Sequence, residues 1–223
     1  MNVKLFFEAI IKFIFGVLLV GVLVFWPANT LNYWNGWLFM GLLFISMFIA
    51  GIVMMIKSPE LLKKRLNAKE KQGEQKQVVL FSGLMFIAGF VLAGLNYRFS
   101  WIILPKAVVI ISSVIFVLAY IIYAEVLREN VYLSRTIEVQ ENQKVIDTGL
   151  YGIVRHPMYA ATILLFLAMP LVLGSIISFC VFLVYPIIIT KRIKNEEEVL
   201  EKELEGYLEY KQKVKYKMIP FVW

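Results

Sequence analysis

One cysteine and one histidine among 223 residues leave little material for thiol or metal chemistry. Zinc sites draw on three or four clustered ligands, so His156 alone cannot build one, and no metal is expected. Cys180 lies inside an apolar run, lacks a partner for an internal disulfide and reads as a small packing hydrophobe. Also missing are a GxGxxG or GKS/T loop and a nucleophilic serine or cysteine paired with the histidine, which argues against phosphoryl transfer and acyl-enzyme chemistry. Charge is scarce as well. Charged residues make up 17% of the chain and hydrophobic ones 60%, where soluble domains average about a quarter and about half. The chain reads as a membrane protein. Its net charge of +7 does not indicate nucleic acid, because the cations lie in blocks between apolar runs, where anionic headgroups meet them.

What is present is a series of apolar runs. The first, Leu5 to Trp26, is too long for a signal-peptide core, is followed by no small-residue cleavage site, and ends at Pro27-Ala28-Asn29. A second follows the aromatic cluster Tyr33, Trp34 and Trp37 and extends to Ile56; a third covers Val78 to Asn96 and a fourth Trp101 to Leu127. Each approaches the roughly 20 residues a spanning helix needs. After the polar stretch Arg128 to Arg155, apolar character resumes from Pro157 to Leu173, breaks at Gly174-Ser175 and continues from Ile176 to Thr190. This predicts a helical hairpin whose first arm, roughly 25 Å long, barely spans the hydrocarbon. Pro170 and Pro186 are expected to kink its arms, and a charged helix with a break at Gly206 follows. The expected fold is all-α: a polytopic integral membrane protein of about six transmembrane helices, with four N-terminal helices (1–127) and a catalytic module (128–223) of loop, hairpin and tail helix. Lys57 to Gln77 carries seven basic residues against three acids, which marks a cytoplasmic loop. Six spans then place both termini, the 128–155 loop and the tail on that side, together with 21 of the 23 lysines and arginines.

Two motifs sit at that face. GLYGIVRHPMY, Gly149 to Tyr159, gathers Arg155, His156 and two tyrosines at the mouth of the hairpin, and ionisable groups there are a functional-site hypothesis. The plain alternative is Pro157 in a first helical turn, His156 as a cap, and Tyr151 and Tyr159 as interfacial belt residues. Arg192 and Glu196, four apart, share a helix face. Spacing alone favours an exposed ion pair worth a few tenths of a kcal/mol. The functional reading has Arg192 clamp a carboxylate or phosphate while Glu196 orients it or handles a proton. The acid triplet Glu196 to Glu198 just past a bilayer exit favours a bound cation.

GLYGIVRHPMY, a hairpin, then RIKNEEEVL and LEGYLEYKQKVKYKMIP closely resemble the isoprenylcysteine carboxyl methyltransferase family and its phospholipid methyltransferase relatives, from about Arg128 to Trp223. Arg128-Glu129-Asn130 and Gln143 to Ile146 take the form of bacterial members, which implies a bacterial cell membrane. The resemblance implies an S-adenosylmethionine-dependent enzyme holding its cofactor with Gln143, Lys144, Val145, Ile146, Tyr151, His156, Pro157, Met158 and Tyr159. It implies that Arg192 and Glu196 are the paired catalytic residues beside the acceptor. The expected substrate is a lipophilic or lipidated carboxylate drawn from the membrane lipids' side, with phospholipid or amine N-methylation as the alternative. A likeness of topology to membrane sterol reductases raises NADPH-dependent reduction, and a small transporter is the non-enzymatic rival.

Overall fold

The computed structural model describes residues 3–67, 73–134 and 136–223. The first apolar run forms α1 (Val3–Ala28), which carries Pro27 in its last turn and stops where Asn29 adopts φ 54° and donates its N–H to the Trp26 carbonyl. Next come α2 (Trp34–Lys57), the short α3 (Pro59–Leu66), α4 (Gly73–Phe99) and α5 (Lys106–Glu129). The segment read as one loop from Lys57 to Gln77 thus holds α3 and the start of α4, while residues 68–72 lie outside the described set. The fourth run was expected from Trp101, yet α5 begins only at Lys106, with Pro105 at its N-cap. A proline pushes the residue before it to extended backbone, so Leu104 cannot continue a helix across that point.

The hairpin is α6 (Pro157–Val172), α7 (Ile176–Phe182) and α8 (Val184–Glu203), and α9 (Tyr207–Lys213) completes the tail. Its second arm breaks at Leu183, one turn before Pro186, whose ring removes an N–H and crowds the carbonyl four residues earlier. The described residues contain helices and no strand, and five helical segments are long and apolar enough to cross a membrane, so the expected all-α polytopic fold holds. α6, at 16 residues and about 24 Å, is shorter than these five.

That shortness has a structural answer. The last carbonyls of a helix have no intrahelical donor, and none comes from lipid. Here Asn35 Nδ2 donates to the Val172 carbonyl at 3.0 Å, the Tyr33 hydroxyl donates to Leu173, and Asn96 Nδ2 reaches Gly174 at 3.4 Å. Gly174, at φ +74°, reverses the chain, and Ser175 Oγ then accepts from Ser178 N–H to start α7. α4 presents small residues to its neighbours: a Cβ on Gly94 would lie 2.6 Å from the Val24 carbonyl of α1, and one on Gly89 would strike the Phe182 ring. Phe39, Phe90, Phe116 and Phe182 fill the space between. Cys180 does not pack in this core; it is exposed on the flank of α7, within a segment apolar enough to cross a membrane.

Candidate active site

The residues from Asn130 to Thr148 form neither helix nor strand among those described, so side chains fix their course. Glu129, at the end of α5, accepts the Leu150 N–H at 2.9 Å. This is possible because Gly149 stands at φ +54° with no Cβ; one there would fall 1.5 Å from Glu129 Oε1. A single 3-10 turn, Gly149–Gly152, follows and buries Tyr151. After α8, Gly206 at φ +81° turns the chain so that α9 folds back over the loop. There Leu204, Tyr207, Tyr210 and Val214 pack against Val139, Val145 and Leu200, the Tyr210 hydroxyl donates to the Tyr151 carbonyl at 2.8 Å, and Lys213 meets Asp147 at 2.7 Å.

The strand-like end of the tail then runs beside the RHP motif. Arg155 and His156 donate their backbone N–H groups to the carbonyls of Tyr216 and Lys217, at 2.9 and 2.8 Å. Arg155 Nη1 donates to the Val214 and Lys215 carbonyls at 2.7 and 2.8 Å, and its Nε donates to Glu197 Oε1 at 2.8 Å. His156 does not cap α6 with its side chain; its Nε2 lies 3.1 Å from the same Glu197 oxygen, a contact that places the ring proton on Nε2. Lys217 Nζ completes the cluster 3.1 Å from Glu197 Oε2. Arg155, His156 and Glu197 are each at most 6% exposed, so this is a buried carboxylate compensated by cations.

Loop, tail, α6 and α8 surround an open-mouthed cavity of about 100 Å³. Gln143, Lys144, Val145, Ile146, Tyr151, His156, Met158, Tyr159, Arg192 and Glu196 all line it. Pro157 does not: it is buried as the first residue of α6, where a missing N–H costs nothing. Arg192 and Glu196 are joined through a third group, since the Tyr159 hydroxyl accepts from Arg192 Nε at 2.9 Å and donates to Glu196 Oε2. Sequence reasoning missed that bridge, and it missed Tyr207. This residue lines the cavity, is 4% exposed, and its hydroxyl has no hydrogen-bond partner among the described residues. Burial pushes the Tyr151, Tyr207 and Tyr210 phenols well above the usual tyrosine range, so all three stay protonated donors.

Comparison with known proteins addresses the same region. Residues 109–202 match the isoprenylcysteine carboxyl methyltransferase (ICMT) family. The likeness read from the RHP and EEE motifs is thereby borne out, although the match starts within α5 and stops before the LEGYLEY tail. The matched segment supplies α6, α8 and the loop, whereas Leu204, Tyr207 and Tyr210 come from outside it. A curated relative, the Delta(14)-sterol reductase TM7SF2 of Mus musculus, is 28% identical over 91 residues, 40% of this chain and 22% of that protein. The aligned part thus spans less than a quarter of that relative's length. The chain is an integral membrane protein whose cavity lies largely in the segment that matches this family.

Proposed function

We propose that this protein is a membrane methyltransferase that takes S-adenosylmethionine and methylates the carboxylate of a lipophilic acceptor, isoprenylcysteine-like or otherwise. The observation that carries this reading is that both sequence motifs, Tyr159 and Arg192 standing 33 residues apart in the chain, meet in one cavity that also holds an unsatisfied buried hydroxyl. The lining suits a sulfonium nucleoside. Glu138 and Glu196 offer negative charge, Val145, Ile146 and Leu204 offer apolar contact, and the protonated Tyr207 hydroxyl awaits an acceptor. Gln143 to Ile146, Tyr151, His156, Met158 and Tyr159 would hold the cofactor, which when bound supplies an electrophilic methyl group.

Such a transfer needs alignment and exclusion of water more than a strong base. Arg192 binds the acceptor carboxylate by charge-assisted hydrogen bonds. Tyr159, held by Glu196, keeps the guanidinium aimed. With an amine acceptor, Glu196 takes the proton instead, and a scan of carboxylate and amine acceptors separates these cases. The concentration of basic residues in the 57–77 segment, loop and tail supports a cytoplasmic position for this face. A second reading, NADPH-dependent reduction, draws on the 28% match to a sterol reductase.

Calorimetry of the detergent-purified protein with S-adenosylhomocysteine, beside NADPH, tests both. Micromolar binding of the first is expected, with loss in His156→Ala and Tyr159→Ala, whereas Arg192→Ala and Glu196→Ala retain binding and lose turnover. Binding of NADPH without S-adenosylhomocysteine would replace methyl transfer by reduction. Because Tyr159 touches both Arg192 and Glu196, Tyr159→Phe is expected to lower turnover as well.

A further inference from the structure

α3 buries Leu61 and Leu62 and turns the cations of its last turn onto the loop that walls the cavity. Lys64 Nζ donates to Gln140 Oε1 and stands 6.0 Å from the centre of the Tyr132 ring. Gln140 in turn donates its side-chain amide to the Tyr132 carbonyl at 2.5 Å, and its backbone N–H donates to Gln143 Oε1 at 2.9 Å. Arg65 reaches the Tyr123 hydroxyl on α5, the Ser134 carbonyl at 3.5 Å and Met158 Sδ at 3.9 Å, with its guanidinium 5.5 Å from the Tyr123 ring centre. Tyr132, Ser134, Gln143 and Met158 all line the cavity. The two cations therefore grip its wall from behind, and they do so from the N-terminal half of the chain.

This loop has no backbone ladder of its own, so its shape depends on such side-chain contacts. We infer that α3 is a clasp: Lys64 and Arg65 are positioning residues that hold the Tyr132–Ser134 and Thr136–Gln143 wall in its ligand-binding shape. Only the identity of the ligand rests on the reading proposed above; the clasp stands on the contacts themselves.

Hydrogen exchange of the detergent-purified full chain tests it, comparing wild type with Lys64→Met, Arg65→Gln, the double variant, Arg65→Lys and, as a control on the exposed side of α3, Lys63→Met. The double variant is expected to exchange about tenfold faster over 132–143 with α4 and α5 unchanged. S-adenosylhomocysteine is expected to bind about tenfold more weakly, while kcat at saturation stays within about twofold. Arg65→Lys should recover part of the loss, and Lys63→Met should show none. Unchanged exchange over 132–143 would overturn the clasp, as would acceleration spread through α4 and α5, which reports general loosening. Faster exchange at 132–143 in a protein whose wild type binds no S-adenosylhomocysteine would leave the clasp standing and remove the cofactor.

Discussion

Glu196 and Glu197 are chain neighbours with different work. Glu196 faces the cavity through Tyr159, while Glu197 is locked among Arg155, His156 and Lys217. Removing one partner of a buried ion pair strands the other, at a cost of about 3–5 kcal/mol. Glu197→Gln is therefore expected to lower the thermal unfolding midpoint in detergent by several degrees, whereas Glu196→Gln leaves the midpoint in place and reduces turnover. Equal midpoints for the two variants would contradict this division. Tyr207→Phe removes only an unsatisfied hydroxyl, so it should leave the unliganded protein as stable as before and weaken ligand binding roughly tenfold, about 1.4 kcal/mol. Part of this was legible in sequence: spacing placed Arg192 and Glu196 on one face. The bridge was not, because Tyr159 arrives from another helix, and the lock was not, because an acid triplet at helical spacing does not say which carboxylate is buried.

At the scale of elements, apolar runs located the spans to within a few residues, and Gly174-Ser175 and Gly206 marked the turns. What they did not reveal is how α6 ends inside an apolar setting: its caps, Tyr33, Asn35 and Asn96, sit on or beside α2 and α4, far away in sequence. Nor did they reveal how closely helices approach. Gly94→Val is expected to force α1 from α4, since even a Cβ meets the Val24 carbonyl at 2.6 Å, and lost folding yield in detergent would register it. The tail element answers to pH. The buried Tyr207 and Tyr210 phenols titrate higher when folded than in the unfolded chain, where the value is about 10. Above about pH 10 the unfolded chain loses protons that the folded one keeps, so their contribution is whole below that pH and falls above it. Unfolding midpoints measured from pH 8 to 11 should decline at the alkaline end, and less steeply in Tyr207→Phe.

Across the whole molecule, the two halves divided at residue 127 by composition are joined by the α3 contacts and by the packing of α5 along α6. Composition reports where charge and apolar length lie; it carries no information on contacts between distant segments. The single cysteine makes orientation measurable. In sealed vesicles Cys180, within a segment apolar enough to cross a membrane, should resist a membrane-impermeant maleimide, and Lys213→Cys should react only from the cytoplasmic side. Reaction from the opposite side would invert the topology. The return of residues 214–217 to Arg155 and His156 also sets an order of events during synthesis. The spanning helices from α1 to α8 leave the ribosome before this segment does, so they can insert while Arg155 still lacks its three carbonyl partners and Glu197 lacks Lys217. Closing this site is therefore a docking step that comes after the insertion of α1 to α8. A nascent chain stalled at α8 would be seated in the bilayer with its cavity unfinished, unable to bind ligand until residues 204–217 are made and fold back over it.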